Sequence, residues 1–246
     1  MPVVIALISQ KGGVGKSTLA RAIAAVAARA GLKVRLVDLD PQQRTLLLWE
    51  QVRRDNNIWP EITIEALATE EGASVGAPME DMLILDLPGQ MSEAALHVAR
   101  RAHLVVQPTG PSLDDLHPAV LVFQALRNCG VPRERLVFAL CRLLSKAEED
   151  KARAHLAAAG YAVLPGAIPE REVYRAALDY GRSLTEVDSR GLDELVGALM
   201  AGLFKKVEEQ AYATSGTRPA EQTRTHDGLD ARFRENTRVA TDALDH

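Results

Sequence analysis

The chain has 246 residues, 47% of them hydrophobic, and a formal charge of −4, which gives it enough apolar material for one substantial core and favours a single α/β domain over two. That charge excludes a uniformly basic coat while leaving a local basic face open. Cys129 and Cys141 are too few for a disulfide scaffold and lack Cys-x-x-Cys zinc spacing, so they read as buried thiols in a reducing compartment.

The first residues, Met1 to Ile8, lack the basic start and longer apolar region of a secretory signal and lead straight into a glycine loop, so they read as a strand. No apolar run approaches the roughly 20 residues of a membrane span, and a cytoplasmic protein is expected. Continuous apolar runs at 3–8, 34–37, 82–85, 104–106 and 136–140 are the pattern of parallel strands buried on both faces. Helical spacing fills the segments between and after them, at 19–30, 45–54, 92–101, 113–128 and 148–159. This alternation predicts an α/β fold: a doubly wound, mostly parallel sheet with helices on both faces, binding ligands beyond the carboxyl ends of its strands. Residues 70–80, with Gly72, Gly76 and Pro78, read as a loop. A last amphipathic helix is predicted at 192–210, with Leu195, Val196, Leu199, Met200, Leu203, Phe204 and Val207 on one stripe. The domain therefore spans 1–210, and the polar stretch 211–246 reads as a disordered tail with a short helix near 229–233.

Chemistry concentrates at the ends of these strands. After the first strand comes Lys11-Gly12-Gly13-Val14-Gly15-Lys16-Ser17-Thr18. Small residues let backbone N–H groups turn onto phosphates, the following helix presents its positive end, Lys16 neutralises β and γ oxygens, and Ser17 can bind Mg²⁺ through its hydroxyl. Gln10 stands where the usual P-loop has its first glycine, and a second lysine, Lys11, precedes the glycines. Asp38 and Asp40 end the second strand in Asp38-Leu39-Asp40-Pro41-Gln42, and Asp86 tips the strand that runs into Leu87-Pro88-Gly89. Adjacent acids at a strand end suit Mg²⁺ and triphosphate better than packing, and an acid at the tip of a buried strand suits a metal held through water.

Lys-Gly-Gly-Val-Gly-Lys-Ser-Thr resembles the ParA/MinD family of P-loop ATPases with a deviant Walker A loop, and the resemblance covers about residues 1–207. It implies that Lys11 reaches across a dimer to the partner's nucleotide while Lys16 acts in its own subunit. It implies that Asp40 acts on the attacking water and that Asp38 couples the γ-phosphate to a mobile switch, with Ser17, Asp38 and Asp86 as the Mg²⁺ set. The stretch Val105 to Asp115 resembles the family's strand and loop leading into an interface helix, with a Ser or Asp helix cap as the alternative reading. The stretch Ile168 to Ala177 resembles the loop beside the adenine followed by a helix, which makes Pro169 and Arg171 cofactor-binding residues. Two positions depart from the family pattern: Gly89 replaces a proline, and Cys141 stands where relatives often carry an adenine-contacting Asn.

The function so implied is an ATP-dependent sandwich dimer that hydrolyses ATP slowly, binds non-specific DNA and positions cargo such as a plasmid or chromosome region. A ParB-like or other adaptor would stimulate hydrolysis, and the protein would be nucleoid-associated. With no helix-turn-helix segment ahead of the first strand, the chain resembles the short ParA type. Arg142, Lys146, Lys151, Arg153, Arg175 and Arg182 are the candidate DNA contacts, a solvated basic face being the other reading. A MinD-like membrane-associated ATPase is the alternative, raised by the stripe ending Leu203-Phe204-Lys205-Lys206 and opposed by the few basic residues beside it. A superfamily enzyme of ligation or metal handling is disfavoured, because two isolated cysteines do not capture a metalloid.

Overall fold

The computed structural model describes residues 2–40, 45–67, 80–89, 92–187 and 193–215. Most of the loop expected at 70–80, Pro41 and Gln42, and everything after residue 215, including the helix expected near 229–233, lie outside the described residues.

Strands β1 (Val3–Leu7), β2 (Val34–Asp38), β3 (Thr63–Ala66), β4 (Met82–Asp86), β5 (Leu104–Thr109), β6 (Leu136–Leu143) and β7 (Ala162–Val163) form one sheet in the order β3-β2-β4-β1-β5-β6-β7, and β8 (Ile168–Pro169) pairs with β6. Every pairing is parallel. The expected doubly wound architecture is thus present, and its central strands are the apolar runs seen in the sequence. Strands β2, β4 and β5 are buried along their whole length, so each needs apolar side chains toward both faces.

Helices α1 (Lys16–Arg29), α2 (Thr45–Asp55), α3 (Glu93–Arg101), α4 (Leu113–Asn128), α5 (Lys146–Ala158), α6 (Glu172–Asp179) and α7 (Asp193–Ser215) cover the sheet. One face packs against α1, α2 and α7, with Leu19, Ile23, Leu46, Trp49, Leu203 and Phe204 in its core. The other packs against α3, α4 and α5 through Val98, Ala99, Phe123, Leu126 and Leu156. There Phe123, Phe138 and Tyr161 stack within 4.2–5.8 Å of one another, a geometry that adds to simple area burial.

The last helix runs to Ser215, past the expected end at 210, and Gln210 is buried. Of its predicted stripe, Val196, Leu199, Met200, Leu203, Phe204 and Val207 are buried on the sheet, and Leu195 is half exposed. Among the described residues, no helix is long and apolar enough to cross a membrane.

Candidate functional site

The carboxyl ends of β1, β2, β4 and β5 bring the predicted residues together. β4 lies beside both β1 and β2, with Asp86 opposite Leu7 in one register and Asp38 in the other. Topology alone therefore places the two acids side by side below the loop that follows β1.

That loop is shaped for an anion. Gly13 and Gly15 have φ of 72° and 102°, a region costly for residues with a Cβ, and Gly12 and Gly13 face open space where a Cβ would stand. Helix α1 then begins without a side-chain cap and without an acid in its first turn, whereas Ser92 caps α3 and Ser145 caps α5, each with acids following. A helix that opens on Lys16 next to its own positive end is poorly matched electrostatically until an anion sits there.

Beneath the loop, Asp86 is 2% exposed and is gripped twice: Lys16 Nζ lies 3.0 Å from Oδ1, and Ser17 Oγ donates to Oδ2 at 2.6 Å. Asp38, also buried, accepts from the Asp40 backbone N–H at 2.9 Å and from that of Leu46 at 3.5 Å. Burial pushes the Asp38 carboxyl above its usual range; the two backbone hydrogen bonds oppose that rise and the charge of Asp86 adds to it. Two buried carboxylates and a serine hydroxyl form an all-oxygen donor set, the hard ligand type that fits Mg²⁺. The glycine cradle and the uncapped helix start fit the phosphates of ATP.

Two site residues escape sequence reasoning. Arg21, one turn beyond Ser17, donates to the Thr45 carbonyl at 2.8 Å and lies 5.5 Å from the Trp49 ring centroid. Burial lowers its pKa to about 10 against the attraction of Asp86 and Asp38, so a cation stands behind both acids and holds the start of α2. A basic residue on the core side of an apolar helix was the available signal. The second is Asp115. It forms an ion pair with Lys11, whose side chain is 46% exposed, and accepts from Ser112 Oγ at 2.7 Å. Burial alone would raise the Asp115 carboxyl, but the hydrogen bonds from Lys11 and Ser112 and the charges of Lys11 and Arg142 hold it below its usual range. The two lysines of the loop thus point to different elements: Lys16 inward to β4, Lys11 outward to α4.

Other expectations are altered. Cys141 is fully buried, with its sulfur 3.4 Å from where a Gly15 Cβ would be, and burial pushes its thiol up to about 12. It packs against the phosphate loop and offers nothing to a base. The other thiol, Cys129, is only half buried. Ile168 and Pro169 are a short strand rather than a loop, with Pro169 buried; Arg171 is exposed at the start of α6. Gly89, on the Asp86 loop, comes close to the Gln10 carbonyl, 3.7 Å from where its Cβ would be.

Most of the expected DNA contacts face acids. Arg142 and Arg175 both pair with Glu170, at 3.4 and 2.8 Å, and Lys146 pairs with Glu149 and Asp150. Arg153 binds Glu149 and the carbonyls of Leu164 and Gly166, which makes it a brace between α5 and the segment after β7. Arg182 lies 5.6 Å from the Tyr180 ring centroid. Only Lys151 is exposed with no partner among the described residues.

Comparison with known proteins agrees with this geometry. Residues 5–184 match the CobQ/CobB/MinD/ParA nucleotide binding domain. The chain is 30% identical to the chromosome-partitioning ATPase Soj of Thermus thermophilus over 74% of this chain and 87% of that one. It is 27% identical to protein ParA of Rhizobium radiobacter over 85% and 99% of the two chains. Among solved structures, the septum site-determining protein MinD from Pyrococcus horikoshii OT3, complexed with Mg-ADP, superposes with a TM-score of 0.61 at 18% identity, covering 89% of this chain and all of that one. The phosphate cradle, the buried acid pair and these likenesses place the chain in the CobQ/CobB/MinD/ParA nucleotide-binding family, as a P-loop ATPase that uses ATP and Mg²⁺.

Proposed function

We propose that the chain is a ParA-type switch in which two copies close around two ATP molecules, bind non-specific DNA while closed, and open after slow hydrolysis, so as to partition or position a cargo such as a plasmid or chromosome region. The observation that carries this reading is the outward Lys11. It belongs to the phosphate loop, yet it is half exposed and tied to Asp115 rather than to the cradle, so it is free to exchange that carboxylate for a phosphate beyond its own subunit. Of the two curated relatives named above, one is a protein ParA and the other a chromosome-partitioning ATPase, which supports partition as the task. A ParB-like adaptor that speeds hydrolysis, and residence on the nucleoid, belong to the same reading.

In the proposed cycle Gly12, Gly13, Val14, Gly15 and Thr18 supply the cradle, and Lys16 trades Asp86 for β and γ oxygens, one anionic partner for another. Ser17, Asp38 and Asp86 would hold Mg²⁺, whose contribution is to offset charge gathering on the phosphate oxygens. Asp40, half buried one residue beyond Leu39 and fixed by its backbone bond to Asp38, acts on the attacking water. Because Asp38 also accepts from Leu46 at the start of α2, movement at the γ-phosphate end passes to α2. Pro169 and Arg171 flank the base.

The MinD-like membrane reading loses the feature that raised it: Leu203 and Phe204 are buried against the sheet and present no apolar face to lipid.

The test is Asp40→Ala. It should bind ATP but turn over about 100-fold more slowly or worse, and light scattering should show a dimer that persists for as long as ATP is present. A variant that stays monomeric while hydrolysing normally removes Asp40 from the mechanism.

A further inference from the structure

We infer that the amino edge of the sheet, where α3, α4 and the 3-10 turn Arg133–Arg135 end together, is a docking surface for the phosphate backbone of duplex DNA. The inference rests on the DNA-binding reading above and moves its site away from the arginines that the sequence suggested.

Chain order builds the surface. Helices α3 and α4 lie on one face of the sheet and lead back to β5 and β6, so their carboxyl ends meet at the edge where those neighbouring strands begin. Each end carries arginine: Arg100 and Arg101 on α3, Arg127 on α4, Arg133 and Arg135 on the turn. Backbone carbonyls lock the three ends to one another. Arg100 Nε donates to the Cys129 carbonyl at 2.9 Å, and Arg135 Nη1 donates to the carbonyls of Arg100 and Ala102, both at 3.4 Å. Arg133 lies 5.6 Å from the Tyr161 ring centroid. These contacts fix position without neutralising charge.

Arg100, Arg101, Arg127 and Arg133 are all exposed, and none forms an ion pair among the described residues. Glu134 is the carboxylate carried by the same turn, and it too is exposed and pairs with none of them. Cations near helix carboxyl ends are ordinary, which accounts for Arg101 or Arg127 taken singly. It does not account for Arg133, nor for a concentration of unpaired positive charge in a chain of net charge −4, whose other arginines so often face acids. Like charges that share one edge repel one another, and an external polyanion offsets that repulsion.

The chemistry selects nucleic acid over lipid. An interfacial site buries apolar side chains among its cations. Of the large exposed hydrophobic residues, none is on α3 or the turn, and the one on the carboxyl half of α4, Leu121, lies well before Arg127. Guanidinium groups alone are enough for phosphate contacts that position a duplex without reading its sequence. This edge lies opposite the nucleotide end of the sheet, so each subunit carries its own patch. ATP-driven closure would join two patches in one particle, and affinity would rise through avidity rather than through a composite surface.

The test uses the full chain and Arg101→Gln/Arg127→Gln, two exposed side chains with no hydrogen-bond partner among the described residues. Retention of a random-sequence duplex with ATP, measured from about 50 to 200 mM salt, should weaken about tenfold or more, and the slope of log K against log salt should become shallower by about 1.8 for each patch engaged, up to about 3.6 for the closed dimer. Basal ATPase activity and the melting curve should match wild type. Equal retention by both proteins overturns this placement and leaves the DNA reading standing. A wild type that binds no duplex at any salt overturns that reading itself. Vesicles of phosphatidylserine and phosphatidylcholine run in parallel; if they capture wild type but not the variant, while duplex captures neither, the surface is a lipid site and the nucleic-acid assignment falls.

Discussion

At the carboxyl edge of the sheet each cation of the site faces a carboxylate: Lys16 lies against Asp86, Lys11 against Asp115, and Arg21 beside Asp38 and Asp86. At the amino edge Arg100, Arg101, Arg127 and Arg133 face none among the described residues. A paired cation can exchange partners when a phosphate arrives, so the carboxyl edge has the parts of a switch. An unpaired, exposed cation has nothing to release, and the amino edge suits standing attraction for a polyanion. The same residue types thus serve two tasks, and the neighbours decide which.

The most buried pair defines one extreme of this comparison. Arg53 and Glu186 have side chains 2% and 5% exposed; Arg53 also donates to the carbonyls of Pro60 and Gly181, and the Ser183 N–H binds Glu186 at 2.8 Å. Such a pair holds α2 to the segment after α6 and exchanges with nothing. Arg53→Met strands Glu186 without its cation and should destabilise the fold by about 3–5 kcal/mol, read as a melting temperature lower by about 10 °C. A change under about 2 °C would mean that water reaches Glu186 freely.

Lys16→Ala sits in the middle, because its pair is built to be exchanged. ATP affinity should fall about 100-fold, the loss of a charge-assisted contact to two oxygens, while the melting temperature without nucleotide falls by less than in Arg53→Met, because Ser17 still donates to Asp86 and Arg21 still lies beside it. Titration with a fluorescent ATP analogue decides it, and unchanged affinity would place the phosphates elsewhere.

The smallest effect belongs to Asp115→Asn. Lys11 is half exposed, so the pair contributes on the order of 1 kcal/mol or less. Releasing Lys11 in advance in both subunits should let ATP-dependent dimers form at a protein concentration lower by up to about thirtyfold, about fivefold for each subunit, as measured by light scattering. The carboxyl of Asp115 is held below its usual range, so its pair contributes above the ordinary carboxylate pKa of about 4 and is lost as pH falls through the lower folded value. Stability of wild type and Asp115→Asn should therefore converge in acid below about pH 4 and differ slightly at neutral pH.

Legibility in the sequence followed distance along the chain. β1, β2, β4, β5 and β6 were readable because a strand buried on both faces is a local apolar run. β3 is short, with an exposed Thr63, and β7 and β8 have two residues each, too few for any periodicity. The phosphate loop and the acids at 38, 40 and 86 were readable because each is a few adjacent residues. Arg21 with Thr45, Lys11 with Asp115 and Arg53 with Glu186 were not, since their partners lie 24 to 133 residues apart and only the fold brings them together. Charge was the least legible feature. Arg142, Arg153 and Arg175 look as basic in sequence as Arg101, Arg127 and Arg133, and only the placement of Glu149 and Glu170 separates the two sets.

Whether the outward lysine serves another subunit is tested most directly by Lys11→Ala, compared with wild type in ATP, in ADP and without nucleotide, by light scattering and duplex retention on the same samples. The variant keeps Lys16, Ser17 and the backbone cradle, so it should bind ATP with near wild-type affinity. It should nevertheless remain monomeric and retain duplex only weakly in every condition, while wild type dimerises with ATP and then retains duplex more tightly than it does in ADP or without nucleotide. A Lys11→Ala protein that dimerises in ATP as wild type does would contradict the account, because Lys11 would then make no contact that closure requires.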